Sequence, residues 1–169
     1  ISGMAIFKGY KMVEATTPFD VILYMGIKGI NPGGYQNFVK VPGEPGYVVF
    51  AGTRRRSKIS VNMEDGQPHV SVKIMIEGDL RGKTNEQFKI NNDVIQKIEK
   101  VQREKAKKSY MDLIRKTQEK QVDIFGFGEY IRAKEAKYWN ENIRTKEEWR
   151  KQYQHLSVDV DVQFEIRRI

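Results

Sequence analysis

Residues 158–167, Val-Asp-Val-Asp-Val-Gln-Phe-Glu-Ile-Arg, alternate apolar and polar side chains more regularly than any other part of the chain. Successive side chains of a β-strand point to opposite faces of a sheet, so this pattern predicts a strand with one apolar face and one solvated face. The apolar face has to be covered by another element, which the rest of the sequence is expected to supply.

The same period of two recurs in the first half of the chain. It appears in residues 47–51, 59–63 and 70–76, each of which is predicted to form a half-buried strand. The pair Asp65-Gly66 lies between the last two segments, and both residues tolerate the positive φ angles of a tight hairpin turn. The strands on either side are therefore expected to pair antiparallel.

Turn and cap signals organise the remaining N-terminal part. Two short strands are expected in residues 3–7 and 11–13, and a further hairpin is expected where Pro and Gly cluster in residues 41–46. Thr17 followed by Pro18 predicts a helix start, because Thr caps a helix and Pro suits its first turn. This helix should run to about Gly29.

Residues 91–121 change to helical spacing, with Asn92 or Asp93 near the cap. The pattern predicts a long amphipathic helix whose apolar stripe consists of Ile95, Ile98, Ala106, Tyr110, Leu113 and Ile114. Its opposite face is charged with a positive bias, which is typical of a solvated surface.

Two short helices are expected after the long one, near residues 135–142 and 146–154. Thr145 and Glu148 have the spacing of a capping box at the second of them. The order of elements predicts an α+β fold in which a mainly antiparallel sheet packs against one long amphipathic helix, with small additional helices. We expect residues 1–169 to form a single domain.

The composition restricts the possible functions. The chain has 169 residues, of which 39% are hydrophobic and 31% are charged, as in folded soluble domains. No apolar run reaches the roughly 20 residues of a membrane-spanning helix. Cysteine is absent and the two histidines have no metal-binding spacing, so we expect neither a metal nor a cofactor.

The net charge of +8 would favour nucleic acid, anionic lipid or an acidic protein partner. The sharpest basic cluster is Arg54-Arg55-Arg56-Ser57-Lys58, but in a strand at most two of these arginines can share a face. No nucleic-acid-binding motif accompanies the charge. A basic nucleic-acid-binding module remains the alternative function.

Three groups of residues could carry chemistry. The Gly126-Phe127-Gly128 element lacks the third glycine of a dinucleotide-binding loop, so the glycines are better explained by a sharp turn that buries the neighbouring Phe side chains. Asp123 and Glu129 could act as acid and base, but a helix-capping role for Asp123 and a salt bridge for Glu129 explain them better. Asp159, Asp161 and Glu165 share one strand face; solvent exposure explains them, with a cation site as the alternative.

Residues 122–131, Val-Asp-Ile-Phe-Gly-Phe-Gly-Glu-Tyr-Ile, are followed by Lys137-Tyr138-Trp139, by Trp149 and by the closing strand. Together they resemble the Ger(x)C family of spore germination proteins, which has a long helix ending in a similar element, then a Trp-containing stretch and a strand that finishes in Ile-Arg-Arg. The opening strand and Arg56-Ser57-Lys58-Ile59 also resemble that family, so the resemblance covers nearly the whole chain.

The resemblance implies the C-terminal domain of a longer lipoprotein, the C subunit of a nutrient germinant receptor. It implies partners, the integral-membrane A and B subunits, and an anchor, a lipidated N-terminal cysteine that this sequence does not contain. The implied location is the outer, extracytoplasmic face of the spore inner membrane. The family offers no catalytic residues, and the chain is expected not to be an enzyme.

We interpret the turn between the long helix and the small helices as a candidate contact for a partner subunit. The candidate residues are Asp123, Phe125, Phe127 and Glu129. Packing of the two Phe side chains into the core is the alternative, because Phe is usually buried.

Overall fold

The chain builds one four-stranded sheet, a separate two-stranded ribbon and a set of helices in the computed structural model, which describes residues 2–31 and 33–167. The strands are β1 (Ala5–Lys8), β2 (Lys11–Ala15), β3 (Gln36–Lys40), β4 (Tyr47–Glu64), β5 (Gln67–Lys83) and β6 (Ser157–Ile166). The helices are α1 (Pro18–Ile27), α2 (Asn92–Glu119), α3 (Phe127–Lys134), α4 (Ala136–Asn142) and α5 (Lys146–His155).

The strand order of the sheet is β3-β4-β5-β6. Its two central strands, β4 and β5, form a long antiparallel hairpin. The predicted turn joins its strands, with φ angles of 50° at Asp65 and 75° at Gly66. The prediction of separate strands at residues 47–51 and 59–63 was wrong, because β4 runs through both. Pairing with β5 keeps the intervening basic segment extended, although the pairing register shifts between Val49 and Phe50 and again between Gly52 and Arg54.

The alternating segment at the C-terminus forms β6, which lies beside β5 and parallel to it. Its apolar side chains Val160, Val162, Phe164 and Ile166 are buried, and the polar side chains between them are exposed, as predicted. The other two strand pairs of this sheet are antiparallel. The predicted mainly antiparallel α+β architecture is therefore confirmed.

The long helix α2 covers the apolar face of the sheet. The side chain of its N-cap residue, Asn91, accepts a hydrogen bond from the Val94 amide at 2.9 Å. Tyr110, Leu113 and Ile114 are buried in one apolar cluster with residues of β5 and β6, as the helical spacing predicted. Burial of this stripe fixes α2 to the sheet.

The first helix begins with a complete capping box. Thr17 Oγ1 accepts from the Asp20 amide at 3.1 Å, and Asp20 Oδ2 accepts from the Thr17 amide at 2.9 Å. The helix ends at Ile27, two residues before the predicted end, and Gly29 follows with a φ of 71° that favours glycine.

Three short helices connect α2 to β6. The sequence predicted α4 and α5 but missed α3, which begins at Phe127 within the glycine-containing element. Half of the predicted capping box at α5 is present, since Thr145 Oγ1 accepts from the Glu148 amide at 3.1 Å. The second bond of the capping box, from the Thr145 amide to the Glu148 side chain, was wrongly predicted. The Thr145 amide donates instead to the Ile143 carbonyl at 2.7 Å.

Within the described ranges, the helices are either too short or too polar to cross a bilayer. Even the longest of them, α2, carries charged side chains along one face.

Candidate functional site

Asp123 closes the turn between α2 and α3. Its Oδ1 atom accepts from the amides of Phe125 at 3.2 Å and Gly126 at 2.9 Å, and its Oδ2 atom accepts from the Gly128 amide at 2.8 Å. The indole of Trp149 on α5 donates to Oδ2 at 3.2 Å. One carboxylate thus caps α3 and ties it to α5.

The capping function falls to Asp123 because the N-cap residue of α3, Gly126, has no side chain and a φ of 79°. Burial raises the pKa of the Asp123 carboxyl, while the N–H donors around it oppose that shift. With both oxygens occupied, this carboxylate is a structural acceptor instead of a general acid or base, as the capping interpretation predicted.

The two glycines of the element serve packing and turn geometry. The Gly126 and Gly128 amides, which a phosphate would need, already donate to Asp123. A β-carbon at position 128 would lie 2.7 Å from the Trp149 ring, so only glycine lets α3 approach α5 this closely. This geometry disfavours a dinucleotide loop.

Phe125 and Phe127 are both completely buried. Their ring centroids are 5.2 Å apart, and the Phe127 ring lies 6.4 Å from that of Tyr153. In this conformation their side chains pack in the core and offer no surface to a partner. The alternative interpretation of these two positions, core packing, agrees with the structure.

The exposed part of the candidate contact lies on α3. The Glu129 side chain is 71% exposed and pairs with Arg132 at 2.9 Å, as the salt-bridge interpretation predicted. Tyr130 beside it is 40% exposed. We call Glu129, Tyr130 and Arg132 the α3 patch. The partner contact predicted at this turn therefore remains a prediction, and of the candidate residues only the exposed ones of the α3 patch can make it.

The basic triplet splits between two faces, as expected for a strand. Arg54 and Arg56 are exposed, and Arg54 lies 3.8 Å from Glu77. Arg55 points inward, where its Nη1 donates to the Ile22 carbonyl at 3.1 Å and its Nη2 donates to the Ile30 carbonyl at 2.9 Å. The triplet therefore presents no continuous basic surface to a nucleic acid.

The outward carboxylates of β6 lie along a sheet edge. Asp159, Asp161 and Glu165 are all exposed, but Asp159 Oδ1 also accepts from Ser71 Oγ at 2.7 Å and lies 2.5 Å from Nε2 of His69. Within residues 2–31 and 33–167, no group of three His, Asp or Glu side chains is arranged to hold a metal ion.

The Asp159 cluster predicts a stability change in acid. Burial alone would raise the pKa of this carboxyl, but hydrogen bonds from Ser71 and His69, with the charge of Lys107, hold it below its ordinary value. A lowered pKa stabilises the fold above the unfolded-state pKa, and this contribution is lost as the pH falls through the folded-state pKa.

Asp159→Asn should thus lower the free energy of unfolding near neutral pH by at most about 1 kcal/mol, since the Asp159 side chain is 52% exposed. The difference from wild type should disappear in acid. Urea denaturation at several pH values measures it, with Asp161→Asn as the exposed control. A difference that is the same at every pH would contradict this assignment.

A cavity of about 310 Å³ lies between α1, α2 and the sheet. Its polar lining includes Arg55 of β4, Tyr35 just before β3, and Gln102 and Tyr110 of α2, which come from three separate segments. The sequence analysis missed this site, because no local motif unites these residues. The one sequence feature that pointed to this region was the basic triplet Arg54-Arg55-Arg56, whose central residue, Arg55, lines the cavity.

Comparison with known proteins gave consistent matches. A family model described as "Spore germination B3/ GerAC like, C-terminal" matches residues 2–169. The chain is similar to spore germination protein GerQC of Bacillus cereus, with 27% identity over 158 residues, which are 92% of this chain and 42% of that protein. It is also similar to spore germination protein KC of Bacillus subtilis (strain 168), with 28% identity over 118 residues, 69% of this chain and 28% of that protein.

The fold is shared with a solved structure. The crystal structure of the GerBC protein matches 99% of this chain and 51% of its own with a TM-score of 0.82 at 19% identity. The chain thus spans about half or less of the length of the proteins that it matches.

Proposed function

Because the chain belongs to the Ger(x)C family of spore germination proteins, we propose that it is the C-terminal domain of the C subunit of a nutrient germinant receptor. The observation that carries this proposal is the family match, which extends over residues 2–169. The shared fold of GerBC supports the structural part of it.

We further propose that residues 1–169 are one domain of a longer lipoprotein, held by a lipidated N-terminal cysteine on the outer face of the spore inner membrane. The relatives are more than twice as long as their matched segments, which leaves room for such a region. A lipid anchor combined with protein partners gives stable membrane attachment.

In this proposal the domain acts by assembly with the integral-membrane A and B subunits and performs no catalysis. Both carboxylate oxygens of Asp123 accept hydrogen bonds within the protein, which supports a structural role for the turn between α2 and α3. The α3 patch supports an assembly role, because it exposes an aromatic ring beside an arginine, two residue types that are enriched at interfaces.

Capture of the A and B subunits from solubilised spore inner membrane tests the proposal, with the chain as bait and immunoblots as the readout. Glu129→Lys should lower capture at least about fivefold, since a like charge at a contact weakens it by about 1 kcal/mol or more. Wild-type bait should retain both subunits.

Glu141→Lys is the matched control, because it makes the same charge change at an exposed i,i+4 pair on α4. It should leave capture unchanged. Equal capture by all three baits would place the contact away from α3, and absence of capture by the wild-type bait would contradict the assembly role of this domain.

A further inference from the structure

We propose that the cavity between α1, α2 and the sheet is a binding site for a small carboxylate with an apolar body. Its volume of about 310 Å³ lies at the lower end of the range of small-molecule sites. At about 30 Å³ for each water molecule in the liquid, this is roughly the volume of ten waters, comparable with a small organic molecule. The inference rests on the cavity itself and is independent of the proposed receptor role.

The walls of the cavity are mainly apolar. Leu23, Phe50 and Phe164 are buried, while Phe19 is 46% exposed. The larger apolar lining residues are Phe19, Ile22, Leu23, Phe50, Ile76 and Phe164, and Ala106 of α2 also lines the cavity. Such walls favour the burial of a hydrocarbon or aromatic body.

The Arg55 guanidinium supplies a cationic group. Its two terminal nitrogens donate to neutral backbone carbonyls, and no carboxylate of the described residues lies within salt-bridge distance. Its Nε atom is buried and lacks a hydrogen-bond partner within the described part of the chain. The guanidinium nevertheless lines the cavity as a cation without a carboxylate partner among the described residues, so its charge favours an anion there.

The remaining polar groups complete an environment for an anion. Lys105 is an exposed lining residue, and no acidic side chain belongs to the described lining. Burial raises the pKa of Tyr35 and of Tyr110, against the opposing charge of Arg55, so both hydroxyls stay protonated at neutral pH and can donate. Gln102, which is buried, accepts from Asn37 at 3.4 Å and retains its own amide donors.

Phenylacetate, with a carboxylate on an apolar ring, is a suitable probe, and phenylacetamide is its neutral isostere. In an NMR titration of the chain, phenylacetate should shift cavity amides saturably and bind at least about tenfold more tightly than phenylacetamide, because only the anion pairs with Arg55. Added salt should weaken the binding of phenylacetate more than that of the amide.

Two variants separate the cavity from the rest of the surface. Ala106→Phe places a ring into the cavity from α2 and should abolish saturation, while Lys105→Glu should weaken phenylacetate binding about threefold or more. Lys97→Glu, an exposed substitution on the same helix outside the cavity lining, should have no effect. The Lys105→Glu and Lys97→Glu pair keeps the test decisive if Ala106→Phe does not fold.

The proposal fails if phenylacetate does not bind saturably, if phenylacetamide binds equally well, or if Lys105→Glu and Lys97→Glu have the same effect. The first result would exclude a site for such carboxylates. The second would remove the anion requirement, and the third would assign the effect to the overall charge of the chain.

Discussion

Replacement of Phe127 by alanine is expected to lower the free energy of unfolding by about 3–5 kcal/mol, as for a fully buried aromatic side chain. Phe127 has no exposed surface and contacts Phe125 and Tyr153 in the larger apolar cluster. Removal of its ring leaves a cavity, because the packed helices α2 and α5 cannot move in to fill the space. Urea denaturation followed by circular dichroism measures the change.

Tyr130→Ala is the control, because Tyr130 lies on the same short helix but is 40% exposed. Its effect should stay within about 0.5 kcal/mol, as for surface substitutions in general. If Phe127→Ala proved no more destabilising than Tyr130→Ala, Phe127 would not be packed in the core, and its candidacy as a direct partner contact would return.

The sequence predicted those parts of the fold that depend on local periodicity. The alternation in β6 determines which of its side chains are buried, and the helical spacing of α2 determines its apolar stripe. The turn at Asp65 and Gly66 could be predicted because few residues tolerate positive φ angles. In each case one short segment contains the physical cause.

The pairing direction of β6 could not be predicted in the same way. Alternation specifies the two faces of a strand, but it does not specify the neighbouring strand or its direction. β6 joins β5 in parallel only after the chain has crossed through α2, α3, α4 and α5. The continuity of β4 was missed for a related reason, since pairing with β5 keeps its basic segment extended.

The candidate site was predictable only in part. Capping by Asp123 and the ion pair of Glu129 followed from residue type and spacing, and both are present. The bond from Trp149 to Asp123 joins residues that are far apart in sequence, as do the walls around Arg55. Such contacts depend on the packing of helices against the sheet, which no single segment determines.

Asp123→Ala is expected to lower the free energy of unfolding by about 2–4 kcal/mol, from the loss of a helix cap and the loss of acceptors for partly buried N–H groups. Four donors, three amides and the Trp149 indole, would lose their partner at once. Chemical denaturation measures the change, and the near-ultraviolet signal of Trp149 should alter with it.

Asn91→Ala provides the matched comparison, because Asn91 caps α2 through a single bond to the Val94 amide. It should cost about 1 kcal/mol, the usual value for one cap. Asp123→Asn should fall between Asp123→Ala and wild type, since the amide keeps one acceptor oxygen but directs N–H groups at other donors. Equal costs for Asp123→Ala and Asn91→Ala would mean that Asp123 acts as an ordinary cap and does not hold α3 against α5.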